Sequence, residues 1–238
     1  MKNKPVRFAA NLLCKIEYMR HLLKKISHPF LKFGLSLYYS KPRNFTYDDI
    51  KIKIHPDVFP PQLTFSTKIL LDFIQDLELE NKTFLELGCG SGIISLLATK
   101  KRAEVTASDI NEIALKYLKK NAQKNNLDLQ VIYSDLFDKI GNKFLDYIVI
   151  NPPYYSKKPK NIKEQAWFCG ENFEYFEKLF RQLPCSLSSK TKCYIIFSQD
   201  CDIDKIKAIA LKNNMTFELV FKKKELIETN YIFRIISS

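Results

Sequence analysis

In the second half of the chain an apolar run, Tyr147-Ile148-Val149-Ile150, stops at Asn151-Pro152-Pro153-Tyr154-Tyr155. Proline has no N–H for a strand ladder, so a strand must end there. What stands at its mouth is an amide, a stiffened backbone carbonyl and two aromatic rings. That set suits one kind of chemistry. The nitrogen of an amide or an exocyclic amine is a poor nucleophile because its lone pair is delocalised into the π system. Two acceptors aimed at its N–H groups raise the electron density on it and fix its orientation. The Asn151 side-chain carbonyl can be one and the Pro152 backbone carbonyl the other, with Tyr154 stacked on the planar group. Such a site works by positioning and oriented dipoles, without a general base. The competing interpretation is a strand terminator with an Asx-type turn.

A second constellation lies upstream. Leu85-Glu86-Leu87-Gly88-Cys89-Gly90-Ser91-Gly92 places half of the chain's six glycines at alternate positions. Glycine lets a backbone turn sharply and approach a ligand without a Cβ in the way. There is no lysine pattern of a P-loop. Asp109 closes the next apolar run, where a carboxylate can accept both hydroxyls of a ribose. Asp135 follows the run after that, placed to accept from the exocyclic amine of an adenine while Leu136 covers one face of the ring. Singly, Asp109 also reads as the N-cap of the following helix and Asp135 as a turn former. Together, at successive strand ends, they point to one adenosine-bearing ligand.

The elements that must position these residues follow from periodicity. "IKIKIHP" alternates as a short strand, and "LTFSTKILLDFIQDL" reads as a helix with Ser66 or Thr67 near its start. Then short apolar runs alternate with helical patterns over 92–100, 111–125, 172–188 and 202–213. The two last runs, joined by "KKKELIE", form a hairpin. This rhythm predicts an α/β fold, Rossmann-like and doubly wound, with a mostly parallel sheet and an antiparallel terminal strand.

Glu86-x-Gly88-x-Gly90-x-Gly92, Asp109, Asp135 and Asn151-Pro152-Pro153-Tyr154 resemble the class I S-adenosyl-L-methionine-dependent methyltransferases. The tetrad resembles the members that modify planar nitrogens. The resemblance covers about residues 50–238. It implies that the glycine turn wraps the methionine part of the cofactor, that Glu86, Asp109, Asp135, Leu136 and Asn151 contribute to cofactor binding, and that Asn151, Pro152 and Tyr154 are catalytic. Ala166, Trp167, Gly170, Glu171 and Asn172 are similar to a segment of the release-factor glutamine methyltransferases, within the methyltransferase small-domain family. The lead-in segment "PPQLTFSTKILL" departs from that group by lacking its acids, though Thr67 stands at the threonine position. The implied acceptor is a protein glutamine of the translation apparatus, a release factor or ribosomal protein. An rRNA or tRNA base (adenine N6 or guanine N2), or a non-catalytic RNA-binding role, stands as the alternative. A small activating subunit is compatible with either.

Residues 1–45 hold ten Lys and Arg against one acid, Glu17, a charge of +9, whereas the rest of the chain carries +3. Phe8, Leu12, Ile16, Met19, Leu23, Ile26 and Phe30 recur at helical spacing. The expected organisation is a basic helical extension over 1–45 and a catalytic domain over 46–238. The extension serves to pack on the domain, to dock RNA or a ribosomal surface, or to meet a membrane surface. Lys15, Glu17 and Arg20 interrupt its apolar stretch too early for a secretory signal, and no run reaches the ~18 residues of a membrane span. The six cysteines include no Cys-x-x-Cys pair, and His21, His28 and His55 lack ligand spacing. Reduced thiols, no metal site and a cytoplasmic location are therefore expected.

Overall fold

The computed structural model describes residues 40–141, 145–225 and 228–237. The chain divides into Met1–Pro42 and Arg43–Ser238, and the elements below belong to the second unit. The helix expected from the Phe8–Phe30 stripe lies outside the described residues.

β1 (Arg43–Tyr47) and β2 (Ile50–Ile54) pair as an antiparallel hairpin. β1 is an addition to the expected elements and runs across the 45/46 boundary; its apolar residues, Phe45 and Tyr47, are only half-buried. In β2, Ile50, Ile52 and Ile54 are buried while Lys51 and Lys53 face out. After them come α1 (Phe65–Gln75), β3 (Thr83–Leu87), α2 (Ile93–Lys100), β4 (Glu104–Asp109), α3 (Glu112–Lys124), β5 (Gln130–Tyr133) and β6 (Tyr147–Ile150). The chain continues through α4 (Ile162–Gln165), α5 (Glu174–Gln182), β7 (Lys192–Ser198), α6 (Ile203–Lys212), β8 (Met215–Glu225) and β9 (Glu228–Ser237). The helix expected over 172–188 is α5 followed by a 3-10 turn, Leu183–Ser186. Pro184 lacks the N–H that would continue it.

β3 to β9 form one seven-stranded sheet in the order β5-β4-β3-β6-β7-β9-β8. The first five pair in parallel, and β9 inserts antiparallel between β7 and β8. Two apolar cores flank the sheet. Phe84, Val105, Tyr147 and Val149 join the residues of α1, α2, α3 and β2 on one face. Leu85, Leu87, Ile148 and Ile150 join those of α5 and α6 on the other. Every residue of β6 is buried because both faces are covered.

Strand order sets where a ligand can bind. β3 is the first strand of the sheet; β4 and β5 extend to one side of it, β6 and β7 to the other. Connections leaving β3 and β6 therefore diverge, and a crevice opens at their carboxyl ends. Register then sets what lines it. Leu87 pairs with Ile150, Leu87 with Ser108, and Asp109 with Tyr133. Gly88, Asp109, Ser134-Asp135 and Asn151 thus stand in one row along the sheet edge.

The outer edge of β2 is closed in an unusual way. Asn121 in α3 accepts from Lys53 N at 2.9 Å and donates to Lys53 O at 3.0 Å. Asn125, one turn later, does the same to Lys51 at 3.0 and 2.9 Å. Two side-chain amides stand in for a neighbouring strand, satisfying backbone groups that would otherwise be orphaned. They hold β2, and hence the segment His55–Phe59 that it leads into, against the rest of the domain.

Candidate active site

A cavity of about 620 Å³ lies in this crevice. Of the residues singled out by sequence, Glu86, Gly88, Gly90, Asp109, Asp135, Leu136, Asn151, Pro152 and Tyr154 line it. Gly92 does not. At Gly92 φ is +74°, and an added Cβ would lie 2.9 Å from Cγ of Leu118, a fully buried residue of α3. At that glycine the packing of α2 on α3 leaves no room for a side chain. Gly88 is the opposite case: its φ is +75° and a Cβ there would meet nothing within 4 Å, because its missing side chain points into open cavity.

The glycine turn is fastened to the end of β4. Gly88 N and Cys89 N both donate to Ser108 O at 2.9 Å, and Gly90 N donates to Asp109 Oδ2 at 2.7 Å. The other carboxylate oxygen of Asp109 accepts from Asn111 N at 2.8 Å. Burial raises the Asp109 carboxyl above the usual range, against the backbone N–H groups of Asn111 and Gly90. The N-cap of α3 is Asn111, which accepts from Ile113 N and Ala114 N at 3.0 and 3.3 Å. The capping interpretation of Asp109 therefore falls, since a neighbour two residues on does that work.

Glu86 sits lower in the wall. It is 4% exposed; its Oε2 accepts from Ser95 N at 2.8 Å and, more closely, from the Ser95 hydroxyl. Ser95 lies in the first turn of α2, so the carboxyl caps that helix from within the sheet. Burial pushes Glu86 up to about 8, against the two hydrogen bonds from Ser95.

Asp135 lines the cavity from an exposed turn. Its Oδ2 pairs with Lys178 Nζ of α5 at 2.7 Å. Leu136 follows in the left-handed region, φ +51°, and is buried. Lys178 and Tyr175 both line the cavity, and the sequence reading missed both. The available signal was helical: Tyr175, Lys178 and Gln182 recur at i, i+3 and i+7 on one side of a helix whose other side holds Phe176, Leu179 and Phe180.

On the β6 side, Asn151 Nδ2 reaches Thr67 Oγ1 of α1 at 3.5 Å. The rings of Tyr154 and Tyr155 lie 4.8 Å apart. Burial holds both phenols above their ordinary range, so near neutrality they are neutral surfaces and hydrogen-bonding groups, not bases. The chain after the tetrad folds back on itself: Tyr155 N donates to Trp167 O at 3.1 Å and Cys169 N to Tyr155 O at 3.0 Å. This sets Trp167 against Phe59, ring centroids 4.7 Å apart, and both line the cavity. Of the lysines in this loop, Lys157 lies over the Phe168 ring at 4.7 Å and Lys163 pairs with Asp57 at 3.5 Å.

The donor set fits S-adenosylmethionine. A turn without Cβ at Gly88, an apolar wall at Ile110 and Leu136, and carboxylates at Asp109 and Asp135 suit a cationic ligand with a flat heterocycle and a diol. The volume lies within the usual ~300–1,000 Å³ of small-molecule sites. Among the described residues no cluster of His, Cys, Asp and Glu is arranged to hold a metal ion, and no helix is long and apolar enough to cross a membrane. Cys89, Cys169, Cys185, Cys193 and Cys201 are free thiols.

Over residues 49–236 the sequence matches the family described as methyltransferase small domain. A protein of Methanocaldococcus jannaschii, provisionally named a protein N5-glutamine methyltransferase, is 31% identical over 193 residues, 77% of this chain and 95% of that protein. Ribosomal RNA small subunit methyltransferase C of Haemophilus influenzae is 34% identical over 193 residues, 76% of this chain, which spans only 57% of that relative's length. The solved 16S rRNA N2 methyltransferase of T. thermophilus, in complex with AdoMet and guanosine, shares the fold with a TM-score of 0.60 at 16% identity, over 82% of this chain and 50% of that one. The chain belongs to the methyltransferase small-domain family and is an S-adenosylmethionine-dependent methyltransferase.

Proposed function

We propose that the chain methylates a planar nitrogen, and that its acceptor is the side-chain amide of a glutamine in a protein of the translation apparatus. The observation that carries this is the register Leu87–Ile150, which sets the glycine turn and the Asn151-Pro152-Pro153-Tyr154 tetrad side by side on one cavity. Cofactor groove and planar-nitrogen tetrad are then one site.

When bound, S-adenosylmethionine would supply a transferable methyl on a positively charged sulfur that departs neutral, and the glycine turn with Asp109 and Asp135 would hold it beside the tetrad. The chain's own residues orient the acceptor. With its nitrogen turned to Thr67, the Asn151 amide leaves its carbonyl oxygen to accept one N–H of the incoming group. Pro152 and Pro153 fix the backbone so that the Pro152 carbonyl accepts the other. Both bonds strengthen as positive charge develops on nitrogen, so they favour the transition state over the ground state; the N–H proton, strongly acidic once nitrogen carries the methyl, is released to water without a general base. Tyr154, half-buried and uncharged, provides the flat surface. Phe59 and Trp167 add aromatic surface to the same cavity.

Coverage supports glutamine over a base. The archaeal relative named for N5-glutamine is matched over nearly its whole length, whereas the ribosomal RNA enzyme has over two-fifths of its length outside the match. A nucleobase is the second reading, favoured by the same paired tyrosine rings, which suit stacking on an unstacked base. The test is transfer of labelled methyl into an extract of cells lacking the protein, with RNA and protein separated afterwards. Label in protein, at glutamine, is expected; label confined to RNA overturns the glutamine assignment. Asn151→Ala serves as control. It is expected to lower the rate by about 10²–10³, as loss of one oriented hydrogen-bonding group in an active site does, with cofactor affinity little changed. A wild-type rate in that variant overturns the acceptor role of Asn151.

A further inference from the structure

The turn that carries Asp135 is bound to α5 by two side chains one helical turn apart. Lys178 Nζ reaches Asp135 Oδ2 and Asp138 Oδ2, each at 2.7 Å, and the Asp135 carbonyl oxygen at 3.4 Å. Gln182 Nε2 donates to Asp138 Oδ1 at 2.6 Å, and Gln182 Oε1 accepts from Phe137 N at 3.2 Å. An ammonium has three N–H donors and no acceptor. All three of Lys178 are directed at its own chain, and two of them grip the side chain and backbone of the same residue, Asp135. Lys178 therefore has no donor left for a ligand, although it lines the cavity.

Asp135 needs such a grip. Its side chain is half exposed, 50%, and an unheld carboxylate on an exposed turn rotates and hydrates. With Oδ2 paired to Lys178, the rotation of the carboxylate is restricted and Oδ1 is the oxygen left to accept from a ligand in the cavity that Asp135 lines. Tyr175, one turn before Lys178, lines the same stretch of cavity, so one face of α5 runs along the acid-bearing end.

We infer that Lys178 is a positioning residue for the adenine end of the cofactor site: by fixing the Asp135 carboxylate it lets Oδ1 select an exocyclic amine. The inference rests on Asp135 facing the adenine. A hydrogen bond to a charged acceptor is worth enough for tenfold or more in affinity, on the order of 1.5–3 kcal/mol. A ligand with a carbonyl oxygen in place of the amine should meet repulsion instead.

The experiment is calorimetric titration of the full chain with S-adenosylhomocysteine and with its analogue carrying hypoxanthine in place of adenine. Wild type is expected to prefer the adenine ligand by about tenfold or more. In Lys178→Met that preference is expected to shrink to within about threefold, with the adenine ligand losing the affinity. In the Asp135→Asn background the further change Lys178→Met is expected to do nothing to the preference, because Lys178 acts only through Asp135. A merely structural role would weaken both ligands in parallel and leave the preference intact; that result overturns the inference. No preference in wild type overturns the assignment of Asp135 and the inference with it, so the two failures are told apart by which protein shows them. Should Lys178→Met fail to fold, Lys178→Gln removes the same ammonium from Asp135 while keeping a polar side chain of similar reach, and an undiminished preference in it is equally fatal.

Discussion

Replacing Asn121 by alanine removes from α3 the amide that stands in for a strand beside β2. The loss can be worked from the structure. Two hydrogen bonds to Lys53 disappear, at 2.9 and 3.0 Å, each worth about 1 kcal/mol net. The Lys53 N–H and C=O are part-buried, so some of the ~1–3 kcal/mol penalty of an unpaired polar group is added. Alanine returns about 0.5 kcal/mol through its higher helix propensity. The balance is a loss of about 2–4 kcal/mol, or roughly 4–16 °C in Tm for a domain of this size. Asn125→Ala removes a geometrically similar pair of bonds, but at an exposed position where water takes the vacated partners, together with a third bond to Asn121 O. It should cost about 1 kcal/mol or less. Urea unfolding and thermal melts of the two single variants decide the matter. Equal losses, or a larger loss at Asn125, would refute the claim that burial and not bond number sets the cost. A functional consequence follows from topology. β2 leads into Val58 and Phe59, which line the cavity, so S-adenosylmethionine affinity should fall in Asn121→Ala and hold in Asn125→Ala.

Other outcomes are expected at the glycine turn and the buried acid. Gly92→Ala drives a Cβ into Leu118 at a left-handed φ and should cost about 1–3 kcal/mol as overpacking with cofactor affinity retained once folded. Gly88→Ala meets no protein atom and should instead show its larger effect on cofactor affinity, both read by melts and calorimetry; the reverse pattern would mean the two glycines have been misassigned. Glu86 rises from an ordinary 4.5 to about 8 in the folded protein, so between those values the native state keeps a proton that the unfolded chain has released. Its contribution to stability is complete below about pH 4.5 and is lost as pH rises towards about 8. Glu86→Gln should flatten that part of the stability profile, read as urea midpoints at about pH 5, 7 and 9, and parallel profiles would show that Glu86 titrates normally.

What could be read in the sequence, and what could not, divides along the distance between chemical partners. The alternation of apolar runs and helical stripes is local, and it anticipates the sheet, its antiparallel end and the boundaries of α2, α3 and α6 to within a residue or two. Gly88 and the Asn151-Pro152-Pro153 corner are legible for the same reason: a positive φ and a missing N–H are properties of the residue itself. β1 escapes because Arg43–Tyr47 alternates but offers only two apolar residues, Phe45 and Tyr47, neither fully buried, which is too short a pattern to mark a strand. Glu86 and Gly92 are legible as part of a motif but not in their roles, because those depend on Ser95 and Leu118, one on the next helix and one on the helix after it. Lys178 is legible as a residue on the polar side of its helix but not as the partner of Asp135, which lies 43 positions away and meets it only through the fold of α5 against the turn after β5.

Strand order is the step that converts these separate signals into a site. The glycine turn, Asp109, Asp135 and Asn151 each end a strand, and four strand ends can be spread across a sheet or gathered at one point. They are gathered because β3 lies between β4 and β6, and because pairing of Leu87 with both Ser108 and Ile150 leaves no stagger between the turn and its neighbours. A slip of one residue at β6 would turn Asn151 to the face that holds Ile150, away from Thr67 and α1. The buried alternation of Tyr147, Ile148, Val149 and Ile150 between two apolar cores opposes that slip, since it would exchange aromatic and aliphatic residues between two packed faces at once. The same apolar run that looks like mere core is therefore what aims the amide, and the precision of the tetrad is inherited from the packing behind it.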